Sequence, residues 1–225
     1  MKREIVTTDD GSKTIFFPEL NESYHSRHGA LQEAKHVFIA SGWNQIKNSS
    51  VAVLEIGFGS GLNALLTYIA HQKDQKTVHY TGLEAFPLQE HERSALEYTS
   101  LPDFKDYAVE FQILHESPWN EFSSISDTFK LKKVHKKLGD FTPVNSTFDL
   151  IYFDAFGPRV QPEMWTEEVF HKMYKCTSRN GILITYSAKG SVRRGLIKAG
   201  YSVEKIPGPP GKREMLRAKK TIPID

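Results

Sequence analysis

Two patterns of apolar positions alternate along this chain. Short continuous apolar runs at 51–56, 78–84, 109–114, 148–153 and 181–186 have the length and β-branching of strands buried on both faces of a parallel sheet. Between them, apolar residues recur at helical spacing after Gly61 and in 88–98, 164–176 and 192–199. At the end, 201–206 and 214–218 flank Pro207-Gly-Pro-Pro-Gly211, a hairpin signature. A βαβ series closed by an antiparallel hairpin predicts an α/β fold that departs from the all-parallel dinucleotide sheet. The stretch 117–145 is polar and lysine-rich and reads as a helix packed loosely beside the sheet. Residues 1–45 form a small N-terminal extension to a domain spanning 46–225. It has a short strand at 14–17 and an amphipathic helix at 29–40 that places Leu31, Ala34, Val37 and Phe38 on one face.

The first strand runs into Glu55-Ile-Gly-Phe-Gly-Ser-Gly-Leu-Asn63. Gly57, Gly59 and Gly61 allow a tight turn and close approach of a ligand to the backbone, and the following helix offers unpaired N–H groups. The dinucleotide fingerprint G-x-G-x-x-G needs glycine where this chain has Leu62. The G-x-G-x-G spacing, with the Glu55 carboxylate before it, resembles instead the first motif of S-adenosylmethionine-dependent methyltransferases. A nicotinamide or flavin enzyme and a purely structural strand-turn-helix remain the alternatives. Glu84, at the end of the second strand, is placed to accept ribose hydroxyls, the alternative being a solvated strand end. After the presumed third strand, Glu116 faces either an adenine or solvent.

Phe148-Asp-Leu-Ile-Tyr-Phe-Asp-Ala-Phe-Gly-Pro158 delivers Asp154 to the carboxyl edge of the sheet, beside the glycine loop. A carboxylate there suits a nitrogen nucleophile, because it can orient an amine and take its proton. A turn residue or helix cap is the structural alternative for Asp154. His25 and His28 have no third partner at ligand spacing, so no metal is expected. Ser60 is not in a G-x-S-x-G setting, and no P-loop appears.

Net charge is +2, so the total gives no argument for nucleic acid, although lysines crowd 130–137 and basic residues crowd the last third. Solvated faces are the simpler account of those clusters. The single Cys176 excludes an internal disulfide and fits a reducing compartment, and the charged start is no signal peptide. A cytoplasmic location is expected, with no membrane partner.

With these residues in place, nearly the whole chain resembles the methyltransferase domain of the MnmC-like tRNA-modifying family, also found alone as MnmD. The resemblance rests on Tyr24-His-Ser26 with Gly29-Ala30, Glu33 and His36-Val-Phe38; on the glycine loop; on Asp154-Ala-Phe-Gly-Pro158 and Pro162-Glu-Met-Trp165; and on Val192-Arg-Arg-Gly-Leu196 and Gly211-Lys-Arg-Glu-Met215. It implies a Rossmann-like class I sheet. The reaction it implies is methyl transfer from S-adenosyl-L-methionine to the aminomethyl nitrogen at C5 of the wobble uridine, in the anticodon region of tRNA. No fused FAD-dependent oxidoreductase follows, so a separate enzyme is expected to supply the aminomethyl substrate. An N-methyltransferase of small amines is the alternative.

The resemblance assigns Tyr24, His25, Ser26, Glu55, Gly57, Phe58, Gly59, Gly61, Asn63, Glu84, Glu116 and Asp154 to the cofactor, with Asp154 also catalytic. Phe156, Pro158 and Trp165 are assigned to the base, and Arg193, Arg194, Lys212 and Arg213 to tRNA. The family usually has an aspartate after the third strand, where this reading finds only Glu116.

Overall fold

A computed structural model describes residues 2–221; Met1 and the last four residues of the 46–225 span lie outside it. In chain order the elements are strands β1 (Glu4–Thr7), β2 (Lys13–Phe17) and β3 (Glu22–Ser23), then helix α1 (Ala30–Ala34), which continues as a wider helical turn over Lys35–Ala40. Next come β4 (Ser50–Ile56), α2 (Leu62–Asp74), β5 (Thr77–Glu84), α3 (Glu90–Ala95) and α4 (Ala108–Glu116). The chain continues through β6 (Phe122–Ser126), β7 (Phe129–His135), β8 (Phe148–Phe153), α5 (Glu167–Cys176) and β9 (Thr177–Thr185). It closes with α6 (Gly190–Ala199), β10 (Ser202–Pro207) and β11 (Glu214–Lys219).

The main sheet has the order β10-β11-β9-β8-β4-β5-β7-β6. Pairings among β9, β8, β4, β5 and β7 are parallel, and both edges are antiparallel. The expected hairpin is present as β10 and β11, with β11 running antiparallel to β9. Strand order reverses beside β4, because its two neighbours are the later β5 and β8. That switch point opens a crevice at the carboxyl ends of the strands.

Two expectations in the middle of the chain are corrected. Residues 109–114 are helical, within α4, where Phe111 and Leu114 form the buried face and Val109 is 67% exposed. The apolar alternation at 109, 111 and 113 imitates a strand, but the spacing that is buried is i, i+3. The third parallel strand lies instead in the lysine-rich stretch expected to be a loose helix. In β7, Phe129 and Leu131 are buried while Lys130 faces solvent. Lys133 is buried too, with its ammonium on the carbonyl of His115 and over the Trp119 ring, and desolvation lowers its pKa to about 8. A lysine whose stem is packed and whose head is bonded occupies a strand position that hydropathy reads as solvated.

Residues 2–45 carry the separate sheet β1-β2-β3. Their apolar groups Ile15, Phe17, Val37, Phe38 and Trp43 nevertheless share one core with Val51, Val53 and Leu65 of the main sheet and α2. The N-terminal segment is therefore fixed in place over the crevice.

Candidate active site

The carboxyl ends of β4, β5, β7 and β8 open onto a cavity of about 1490 Å³. Its floor is the glycine loop, where Gly57, Gly59 and Gly61 hold φ values of 91°, 49° and 74°. A Cβ on Gly57 would lie 2.6 Å from the carbonyl oxygen of Asp154, so only glycine lets β4 and β8 end this close together. The amides of Gly57 and Phe58 donate to the Leu83 carbonyl, and Phe58 folds onto Gly82. Glu84 stands on the rim, its Oε2 accepting from the Gly59 amide at 2.9 Å and its Oε1 from the Phe86 amide at 2.8 Å. Each carboxylate oxygen keeps acceptor capacity for a ligand hydroxyl.

Asn63, in the first turn of α2, ties two acids together. Its Nδ2 donates at 2.9 Å to Glu55 Oε1 and at 2.9 Å to Asp154 Oδ2, while Tyr80 donates its hydroxyl to Glu55 Oε2 at 2.8 Å. Glu55 lies beneath the cavity rather than in its wall, 1% exposed, and burial pushes its pKa well above the ordinary range. Asp154 does line the cavity, and its pKa is raised to about 8, first by desolvation and then by the negative charge of Glu33. The Asn63 bond and the Lys212 charge oppose that rise. Asn63 Oδ1 is buried with no hydrogen-bond partner, which leaves an acceptor in a residue that also lines the cavity.

Oxygen acceptors in the lining are Asn63, Glu84, Asp154 and, in the loop after β7, Asp140, and they stand beside the cations Arg3, Lys136, Lys137 and Lys172. Such acceptors fit a ligand that carries amines and hydroxyls. Asp140 and the adjoining Lys136 and Lys137 were not anticipated, because the third strand was assigned one element too early. The alternation of Phe129 and Leu131 was the signal that could have located them. Glu116, read as the acid of this position, lies on α4 outside the cavity, exposed and bonded to Gln112. His115 lies outside the cavity too, its Nε2 against the Ser60 carbonyl under the loop, with a pKa lowered to about 3 by burial.

Phe17, Tyr24 and Phe156 form an aromatic wall, with ring centroids 5.2 to 5.4 Å apart. Behind it lies a second cavity of about 350 Å³ that shares Tyr24 and His25 with the first. His25 is buried, near Ser60 Oγ at 3.2 Å, and desolvation lowers its pKa, which keeps the ring neutral. Ser26 faces only the second cavity. Pro158 belongs to the turn after Phe156 and lines neither.

Trp165 is not an open stacking surface. It is 8% exposed, packs on Phe153 and donates its Nε1–H to the Phe156 carbonyl at 2.7 Å, which braces the wall from behind. Arg193 and Arg194 on α6 line neither cavity. Arg213 is exposed at the hairpin, whereas its neighbour Lys212 turns inward to the second cavity. Among the described residues no group of three or more His, Cys, Asp or Glu side chains could hold a metal, and no helix is long and apolar enough to cross a membrane.

Residues 119–221 match the family described as S-adenosyl-L-methionine-dependent methyltransferase. That match, the sheet order and the acceptor-lined crevice place the chain among the S-adenosyl-L-methionine-dependent methyltransferases, with a Rossmann-like fold. More particularly, it is similar to the tRNA 5-methylaminomethyl-2-thiouridine biosynthesis bifunctional protein MnmC of Azoarcus sp. (strain BH72), at 31% identity over 94% of this chain. The protein of the same description from Paracidovorax citrulli is also 31% identical, over 92% of the chain. The chain spans about a third of the length of these relatives, 34% in both cases. Among solved structures it is similar to MNMC2 from Aquifex aeolicus, with a TM-score of 0.74, 23% identity, and coverage of 100% of this chain and 73% of that one. Spermidine synthase from Thermotoga maritima shares the fold at a TM-score of 0.55 and 13% identity, covering 100% of this chain and 73% of that one.

Proposed function

We propose that this chain methylates the aminomethyl nitrogen at C5 of the wobble uridine in tRNA. The observation that carries the reading is Asp154, a carboxyl lining the larger cavity whose pKa is raised to about 8. Such a group can take a proton from an ammonium near neutral pH, because donor and acceptor are closely matched. Similarity to MnmC supplies the acceptor class.

When bound, S-adenosyl-L-methionine supplies an electrophilic methyl group on a cationic sulfur. The residues that would hold it are Glu84 for hydroxyls, Asp140 for an exocyclic amine, and Asn63 Oδ1 for an ammonium, with Gly57 and Gly59 admitting it close to the backbone. Asp154 Oδ accepts the proton that an incoming ammonium must lose before its nitrogen can attack. Asn63, bonded to Asp154 Oδ2, fixes that carboxyl in place. Phe17, Tyr24 and Phe156 exclude water from the wall and hold the reactants in line. Arg213 and the arginines of α6 would meet phosphates.

Labelled methyl transfer to tRNA carrying aminomethyluridine, followed by nucleoside analysis, tests the reading. Wild type yields methylaminomethyluridine, and Asp154→Ala lowers the rate roughly 10²- to 10⁴-fold while cofactor affinity changes far less. Turnover of free amines with no gain from tRNA would replace the acceptor class, and an unchanged rate in Asp154→Ala would remove Asp154 from the mechanism.

A further inference from the structure

The second cavity contains an arrangement that neither the fold nor the glycine loop requires. Glu33, on α1, has a side chain only 7% exposed, and both of its oxygens are engaged. Oε2 accepts from the Ser26 amide at 2.7 Å, and Oε1 pairs with Lys212 Nζ at 2.6 Å. The same Lys212 ammonium lies 4.0 Å from the centroid of the Tyr186 ring. Tyr186 is itself fixed, since its hydroxyl donates to the Ala155 carbonyl at 2.8 Å, next to Asp154. A carboxylate on one side and an aromatic face on the other are the elements that recognise a primary ammonium.

Lys212 reaches this place from the far end of the chain. The hairpin turn is held against α1 and its continuation by the Glu33 pair and by His36 Nε2, which lies 2.9 Å from the Pro207 carbonyl. The seat adjoins the methyl-transfer wall, because Tyr24 and His25 face both cavities and the charges of Glu33 and Lys212 act on Asp154 in opposite senses.

We infer that Glu33 and Tyr186 form the seat for the acceptor's ammonium, and that the Lys212 ammonium occupies that seat until the acceptor displaces it. This rests on the amine-methylating reading above. A second ammonium cannot share one carboxylate oxygen and one ring face with the first, so binding is an exchange of cations at conserved local charge. The exchange gives selectivity, since a neutral group at the acceptor position cannot replace Lys212 without leaving Glu33 buried and unpaired. Arg27, stacked 4.0 Å over Phe16 at the same cavity, has no acidic partner among the described residues and is available to an acceptor phosphate.

Benzylammonium, a primary ammonium on a flat ring, probes the seat without methyl transfer. Lys212→Met keeps the packing on Tyr186 and removes the competitor, so calorimetry should show benzylammonium binding about tenfold tighter than in wild type. Glu33→Gln keeps an acceptor for the Ser26 amide and should abolish that gain in the double variant. With tRNA carrying aminomethyluridine, Lys212→Met should lower the acceptor KM and Glu33→Gln should raise it, both with cofactor Kd unchanged. A higher KM in Lys212→Met with a shallower salt dependence would overturn the inference and make Lys212 a phosphate contact. So would benzylammonium affinity that ignores both substitutions. If wild type fails to methylate tRNA while the benzylammonium results hold, the proposed acceptor is wrong and the seat stands.

Discussion

The two cavities meet at Tyr24 and His25 but are built in different ways. The larger one opens at the ends of the parallel strands, under a cover from the N-terminal segment and α5, so its position comes from the strand order and much of its chemistry from short motifs beside β4, β5 and β8. The smaller one is assembled from the Tyr24–Arg27 region, Glu33 of α1, Tyr186 beyond β9 and Lys212 of the hairpin, the last of which lies 179 residues from its partner Glu33. Sheet edges concentrate polar groups through local sequence, whereas a cavity gathered from the ends of the chain depends on the N-terminal segment sharing the main core.

The sharpest test of this division is the pH behaviour of Asp154, which lines the larger cavity and feels the charges of Glu33 and Lys212 at the smaller one. Its folded pKa of about 8 exceeds the ordinary value of 3.8, so native structure favours the neutral acid. The resulting stability is fully present below about pH 4 and is lost as pH rises through about 8. Asp154→Asn removes the titration. In urea unfolding, the variant should gain on wild type from pH 5 to pH 8.5, and this is the largest effect expected. A cation in the larger cavity lowers the Asp154 pKa, so calorimetry in buffers of different ionisation enthalpy should detect proton release on cofactor binding at pH 7, reduced in the variant. A parallel pH course for the two proteins would mean that the Asp154 carboxyl is solvated and the cavities are not electrostatically joined.

Matched glycine substitutions address the same contrast at the backbone. Gly57→Ala forces a side chain into a φ of 91° and 2.6 Å from a carbonyl oxygen, and should weaken cofactor affinity roughly 10- to 100-fold through strain of about 1–3 kcal/mol. Gly157→Ala, whose Cβ would meet Tyr186 and Glu22 at 3.7 and 3.9 Å, adds only an ordinary contact on the other side of the wall. Its cofactor affinity should remain within about threefold of wild type, a change under 1 kcal/mol. Equal losses by titration in both variants would erase the distinction between the two constructions.

What could be read from the sequence follows the same line. The strands β4, β5, β8 and β9 are apolar enough to be recognised from composition, and the glycines and Asp154 are tied to their ends, so the sheet edge that opens onto the larger cavity was legible. The stretch from α4 to β7 was not. There, burial of Lys133 and exposure of Val109 contradict hydropathy, and tertiary contacts decide which residues are inside. The family resemblance turns Lys212 toward RNA, and its partner Glu33 lies too far away in sequence for the pairing to be visible. Trp165 was expected to stack on a base because aromatics beside a site often do, yet its N–H is committed to Phe156.

That last difference is measurable. Trp165→Phe retains the contact with Phe153 and loses the bond to the Phe156 carbonyl, leaving a part-buried acceptor without that partner. Chemical denaturation should show a loss of about 1–3 kcal/mol. Acceptor KM should follow only as far as the Phe156 wall loosens. A large KM effect without any loss of stability would restore Trp165 to direct contact with the base.

The smallest expected effect lies at Glu116. Exposed at the end of α4 and bonded only to Gln112 one turn back, it belongs to a helix surface pair, which contributes about 0.2–0.5 kcal/mol. Asp140, by contrast, stands where the true third strand delivers its loop to the cavity. Glu116→Ala should therefore leave cofactor affinity and stability nearly unchanged, while Asp140→Ala should weaken cofactor binding about tenfold through loss of a hydrogen bond to a ligand amine. Calorimetric titration of both variants distinguishes the two assignments of the third strand. If Glu116→Ala were the damaging one, α4 would have to adopt another conformation when the ligand binds.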